Sequence, residues 1–273
     1  ADVVDSTGSV SVAGLENAAE VIEGIPAALS EAVRHPFTAM ALSYLLVLPD
    51  QKEKRSRLIG SSLGKVVSAA ELHELTLLEP HLSELDPIYR LALLERSSPA
   101  LRLLSRSQAR EFLGRIEELV YLDGRVDFRE FCFLMVVESC VYSSGRLRRK
   151  SKKRYRSISK LKPDFIKVLS SLAKAGQAAE ERRQAAFEKA RDDLAGDFAL
   201  EYETGTISGA DLKESLGRLS RSSAAIRRKL LSACSHCILA DGVVEVEEAE
   251  LLRCFAHAID VPLPPFLQLA GED

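Results

Sequence analysis

Residues 122–135 read LDGRVDFREFCFLM, and residues 240–253 read ADGVVEVEEAELLR. The two stretches align without a gap at an offset of 118 residues. Asp123–Gly124 falls on Asp241–Gly242, Val126 on Val244, and Glu130 on Glu248. The apolar positions upstream agree too: Phe112 with Leu230, Leu113 with Leu231, Ile116 with Cys234, Leu119 with Cys237, and Val120 with Ile238. A self-match at this distance predicts two copies of one helical unit. Each copy reads as a helical corner. An apolar helix ends at Asp–Gly, where glycine takes the left-handed conformation that closes a helix. Acidic residues then open the next helix, where the dipole favours them.

Outward from these corners the pattern stays helical. Apolar residues recur at spacings of three and four, and few runs alternate as strands do. Helices are expected over 36–48, 51–59, 65–78, 87–94, 105–122, 127–141, 163–172 and 178–200. Three more follow: one from a Ser208 cap to Leu219, one from Ser222 or Ser223 to Ala240, and one over 246–259. Pro36, Pro87, Pro99 and Pro163 are read as punctuation that opens helices. Residues 1–12 are small and polar and read as a linker, and the chain opens on Ala1, as a fragment or processed chain would. Between the two copies the composition changes abruptly. Residues 146–162, RLRRKSKKRYRSISKLK, hold ten Lys or Arg in seventeen.

Composition removes several function classes. The 273 residues are 46% apolar and 28% charged, which excludes a wholly disordered chain. The net charge of −3 disfavours a globally basic nucleic-acid binder. Five cysteines, an odd number, argue against a disulfide framework and for a reducing compartment. The longest apolar run, 37–48, is too short for a bilayer, which needs about 20 residues.

Four carboxylates, Asp123, Glu130, Asp241 and Glu248, are the candidate metal ligands. Capping and orienting the corner is the competing role for them. A weak divalent cation shared with a third group is the one cofactor they suggest. An EF-hand is disfavoured, because the ligand positions two and four residues before each Asp hold Tyr121, Leu119, Leu239 and Cys237. Cys234-x-x-Cys237 and Cys254-x-x-His257 have the arithmetic of a zinc site but fall on apolar helices, so a core role is expected. The segment Gly60–Lys65 is too short and lacks the preceding strand of a phosphate loop. In the basic run, Arg148, Arg149, Lys150, Lys152, Lys153 and Arg154 form a candidate surface for an anionic membrane. Nucleic acid is disfavoured there, since Tyr155 is the only aromatic.

The pattern [LA]-D-G-x-V-x-x-x-E between two helices resembles the signature of TerB-like domains, the all-helical fold of tellurite-resistance proteins and of DjlA-type co-chaperones. A second resemblance spans nearly the whole chain. AALSEAVRHPFTAMALSYLLVL, YRLALLERSSPALRLLSRSQAREFLGRIEELVYLDGRVDFREFCF, RYRSISKL and LLSACSHCILADGVVEVEEAELLRCFAHAIDVPLPPF resemble the C-terminal extension of bacterial membrane zinc metalloproteases of the HtpX type. The resemblance implies an all-α fold of two TerB-like domains, 13–143 and 164–273, joined by a basic linker at 144–163. It implies a non-catalytic regulatory or interaction module on the cytoplasmic side of the membrane, partnered by the protease domain of its parent chain or by another protein. The alternative is a free-standing cytosolic TerB-like scaffold or a divalent-metal-sensing stress protein. The protease motif H-E-x-x-H is broken here. Its nearest match, His73–Glu74–Leu75–Thr76–Leu77, has Leu where the second zinc ligand must stand, so no hydrolysis is expected of this chain alone.

Overall fold

A computed structural model describes residues 24–49, 51–86, 89–121, 128–142, 155–177, 179–194, 200–242 and 246–261. Among these the regular elements are all helices, and the only β-type pairing is an isolated parallel bridge between Tyr155 and Ser222. No helix among them is long and apolar enough to cross a membrane. The described residues fall into two compact units, divided between 149 and 150.

The first unit contains α1 (Ala27–Ala32), α2 (Pro36–Leu46), α3 (Lys52–Ser61), α4 (Ala69–Glu84), α5 (Arg90–Leu101), α6 (Arg106–Val120) and α7 (Phe128–Tyr142). Pro36 starts α2 with its fixed φ. Residues 41–48 are buried without interruption, so α2 forms the middle of the unit, with α4, α5 and α6 packed against it. Helix α7 closes on α5 and α6, and residues 130–137 of it are all buried.

The second unit contains α8 (Lys162–Gly176), α9 (Glu180–Asp193), α10 (Gly209–Leu219), α11 (Ala224–Ile238) and α12 (Val246–Ala258). Here α8 is central, with α9, α10 and α11 on it, and α12 closes on α11, α8 and α10. Helices α6 and α11 begin and end at positions 118 residues apart, α5 and α10 end 118 apart, and α7 and α12 begin 118 apart. Ser105 and Ser223 cap α6 and α11 in the same way, each accepting from the backbone N–H three residues on. Phe112 and Leu230, Ile116 and Cys234, Leu119 and Cys237, and Val120 and Ile238 are all buried.

Several expectations need correction. Helix α4 runs over 69–84 rather than 65–78, because Ser68 and Glu71 form a reciprocal capping box that sets its start. Helix α5 continues to Leu101, with Pro99 inside it rather than opening a new helix. Pro99 is exposed and lies in the last turn, so only one carbonyl loses its partner to water, while buried Ala100 and Leu101 hold the turn in place. Within the expected linker 144–163, residues 155–163 belong to the second unit. Tyr155 pairs with the α10–α11 turn, residues 158–161 coil into a 3-10 turn, and Leu161 is fully buried. Residues 144–154 lie outside the described residues.

Candidate functional site

The second Asp–Gly corner is described in full up to Gly242. Helix α11 tightens into a 3-10 turn over Leu239–Asp241, and Gly242 follows at φ 81°, left-handed, as a C-terminal glycine should be. Asp241 is exposed at the tip, and its Oδ2 accepts a hydrogen bond of 3.0 Å from Nε2 of Gln177, just past the end of α8. Lys189 of α9 donates to the carbonyl of Ala240. Glu248 lies in the first turn of α12 and is 4% exposed. Its carboxylate presses on Gly176, where an added Cβ would sit 2.1 Å from Oε1. Glycine at 176 is therefore what lets α12 close on the end of α8.

In the first copy, Glu130 is buried in the first turn of α7, the counterpart of Glu248. Asp123 and Gly124 lie outside the described residues. Both glutamates thus occupy helix starts, where the free N–H groups and the dipole stabilise a carboxylate. Among the described residues no three His, Cys, Asp or Glu side chains are placed to hold a metal ion together.

The three cysteines of the Cys/His set are buried, and His257 is half-buried. Cys234, Cys237 and Cys254 are each at most 3% exposed, and Cys132 and Cys140 of α7 are buried as well. Burial pushes the Cys237 thiol up to about 12, with Glu248 adding to the shift, and pushes Cys140 up to about 11. Cys234 is raised well above its ordinary value, again by burial first and then by Cys237. Thiolates are the reactive form. The native chain should therefore leave an aromatic disulfide reagent such as DTNB almost unreacted at pH 8. All five thiols should titrate once denaturant is added. Rapid release of even one equivalent from the native protein would overturn this.

The broken protease motif lies on α4, with His73 and Leu77 exposed and Leu75 in the core. The same helix carries a polar cluster not anticipated from the corners. Glu71, 4% exposed, accepts hydrogen bonds from the backbone and hydroxyl of Ser68, from Tyr44 on α2 at 3.3 Å and from Arg115 on α6. Burial opposes ionisation of Glu71, but the Ser68 hydrogen bonds and the Arg115 guanidinium outweigh it, and the carboxyl sits below its ordinary value. Tyr44 is shifted up, by burial and then by the Glu71 charge. One carboxylate thus ties α2, α4 and α6 together. The sequence signal for part of it, Ser68-x-x-Glu71, was present; its long-range partners have none.

Two further clasps are of the same kind. Arg55 of α3 is 1% exposed and donates to Glu79 and Ser83 of α4 and to the carbonyl of Pro49. Arg227 of α11 donates to the carbonyls of Ile259 and Asp260 and closes the end of α12, with Asp260 at φ 58°. The candidate membrane residues Arg148, Arg149, Lys150, Lys152, Lys153 and Arg154 lie outside the described residues. Compared with protein-family models, curated proteins and solved structures, the chain matches none.

Proposed function

We propose that this chain is a non-catalytic regulatory or protein-interaction module made of two copies of one TerB-like helical unit. In this reading it is the cytoplasmic C-terminal part of a membrane-bound zinc metalloprotease. One observation carries the duplication: three consecutive helices fall in register at an offset of 118 residues, with the same serine cap and the same buried positions. The resemblance of the quoted segments to the protease extension supplies the membrane context. A supporting role suits the way the ionisable groups are used: Glu71, Arg55, Arg115 and Arg227 join helices inside the units.

The test is the parent reading frame, expressed with and without this region. Removing residues 24–261 should change proteolysis of an unfolded membrane substrate several-fold, and the 273-residue chain should bind the separately prepared protease domain in calorimetry. A reading frame without membrane spans and an H-E-x-x-H would overturn the assignment in favour of a free-standing scaffold. So would equal proteolysis with no detectable binding.

A further inference from the structure

Helix α4 rests on its core by one stripe and turns the opposite side outward. Glu71, Leu75, Leu78 and Leu82 are buried at spacings of four, three and four. The exposed side is poor in charge. It holds no Lys, Arg or Asp, and Glu84 is its only exposed acid. Helix α6, of almost the same length in the same unit, exposes Arg106, Arg110, Glu111, Glu117 and Glu118. On α4 the exposed positions Ala70, His73, Leu77, Pro80 and Glu84 recur at spacings of three and four, with His81 beside them. That is the seam period of two helices packed side by side. Leu77 stands in the middle of it and is 54% exposed. The side chains of His73, His81 and Glu84 form no hydrogen bond or ion pair among the described residues.

The seam is close to symmetric about Leu77. His73 and His81 stand four residues to either side of it, and Ala70 and Glu84 seven. A two-fold axis needs a surface that is its own complement, with residue i on j and j on i. Two copies of α4 laid antiparallel with the axis at Leu77 meet that need. Leu77 then faces its own copy, and each His73 faces the other copy's His81. Each Glu84 lies over Ala70, in the first turn of the other α4. A helix start carries the positive end of the dipole, so an added carboxylate is favoured there. Glu71, the acid already in that turn, is held inward by Arg115. Parallel pairing would set the two Glu84 side by side, whereas the antiparallel pair holds them about 21 Å apart.

We propose that the outward face of α4 docks on the same face of a second copy of this chain, antiparallel and in register about Leu77. A second copy is the occupant because both the spacing and the charges at the two ends match their own reverse. One helix pair buries less than the roughly 1,200 Å² of a standard interface. The dimer is therefore a weak one, with a dissociation constant on the order of 10–100 μM. Nothing in this inference depends on the protease reading.

The experiment is sedimentation equilibrium of the 273-residue chain, combined with cysteine cross-linking. Chain concentrations run over about 5–500 μM, to bracket that constant. The apparent mass should rise from 30.0 kDa toward twice that value. Leu77→Glu puts like charges on the axis and should weaken the dimer at least about tenfold. Leu103 is 65% exposed and lies outside the seam. Leu103→Glu should therefore stay within about twofold of wild type. The five native thiols are buried, so an introduced surface cysteine is the one a mild oxidant reaches. Leu77→Cys should form an intermolecular disulfide. His73→Cys alone should not. In this register the two copies of position 73 stand about 12 Å apart along the helices, beyond the roughly 7 Å that a disulfide spans between Cα atoms. His73→Cys combined with His81→Cys should cross-link again. Melting curves confirm that the variants remain folded. A monomer across the whole range, a dimer that survives Leu77→Glu unchanged, or equal loss in Leu103→Glu would overturn the proposal. So would as much cross-linked product from His73→Cys as from Leu77→Cys. Binding of the protease domain is measured separately, so either reading can fail alone.

Discussion

Replacing Glu71 with alanine is expected to lower the stability of the first unit by about 3–5 kcal/mol, because it strands the charged and polar partners of a buried carboxylate. Arg115 loses its inward partner, Tyr44 its acceptor, and Ser68 the return half of its capping box. Glu71→Gln keeps the shape and should cost less. The two also differ in acid. The Glu71 carboxyl is lowered in the folded chain. Its stabilisation is therefore complete above the unfolded value of about 4.3 and disappears as pH falls through the lower folded value. Wild type should lose stability over that window, and Glu71→Gln should show a shallower acid limb. Urea unfolding at pH 7 and across the acid range measures both. A loss below about 1 kcal/mol for the alanine variant, or superimposable acid limbs, would contradict the clasp.

Two equivalent core positions give the second large effect. Phe112 is fully buried on α6, with its ring centroid 5.4 Å from that of Tyr44. Leu230 is its counterpart on α11 and has no exposed surface. Phe112→Ala should cost about 3–5 kcal/mol and Leu230→Ala about 2–5 kcal/mol, the transfer term plus the cavity left behind. The two cores belong to separate compact units. The losses in the double variant should therefore add to within about 0.5 kcal/mol. A small loss at Leu230 with a large one at Phe112 would mean that the 118-residue register does not extend to packing.

The helices around the repeat were legible in the sequence because each boundary there has a local chemical cause. Ser208 caps α10, Ser223 caps α11, and Gly242 closes the turn that follows α11. The start of α4 was legible too, in Ser68 and Glu71, but the apolar period alone pulled it four residues early. Pro99 misled because a proline in an exposed last turn forfeits one hydrogen bond, and tertiary packing of its neighbours outweighs that. In the basic run the charges hid Ile158 and Leu161, whose spacing of three signals a helical turn; Leu161 anchors it in the core. The long-range partners of Arg55 and of Glu71 lie 24 to 44 residues away. No local pattern encodes such pairs, since they form only when the helices have met.

Helix α7 has a consequence for the making of the chain. Residues 131–137, FCFLMVV, are apolar all round, and all are buried once α5 and α6 receive them. Until the chain has emerged far enough for α7 to fold onto α5 and α6, some seconds at about 5–20 residues per second, these residues have no covered place. A seven-residue window of uncharged, strand-favouring side chains is what intermolecular zippers are made from. Glu130 and Glu138 flank it, and charges in that position deter such stacking. Glu130 would then serve twice, guarding the nascent segment before it begins the helix of the finished unit.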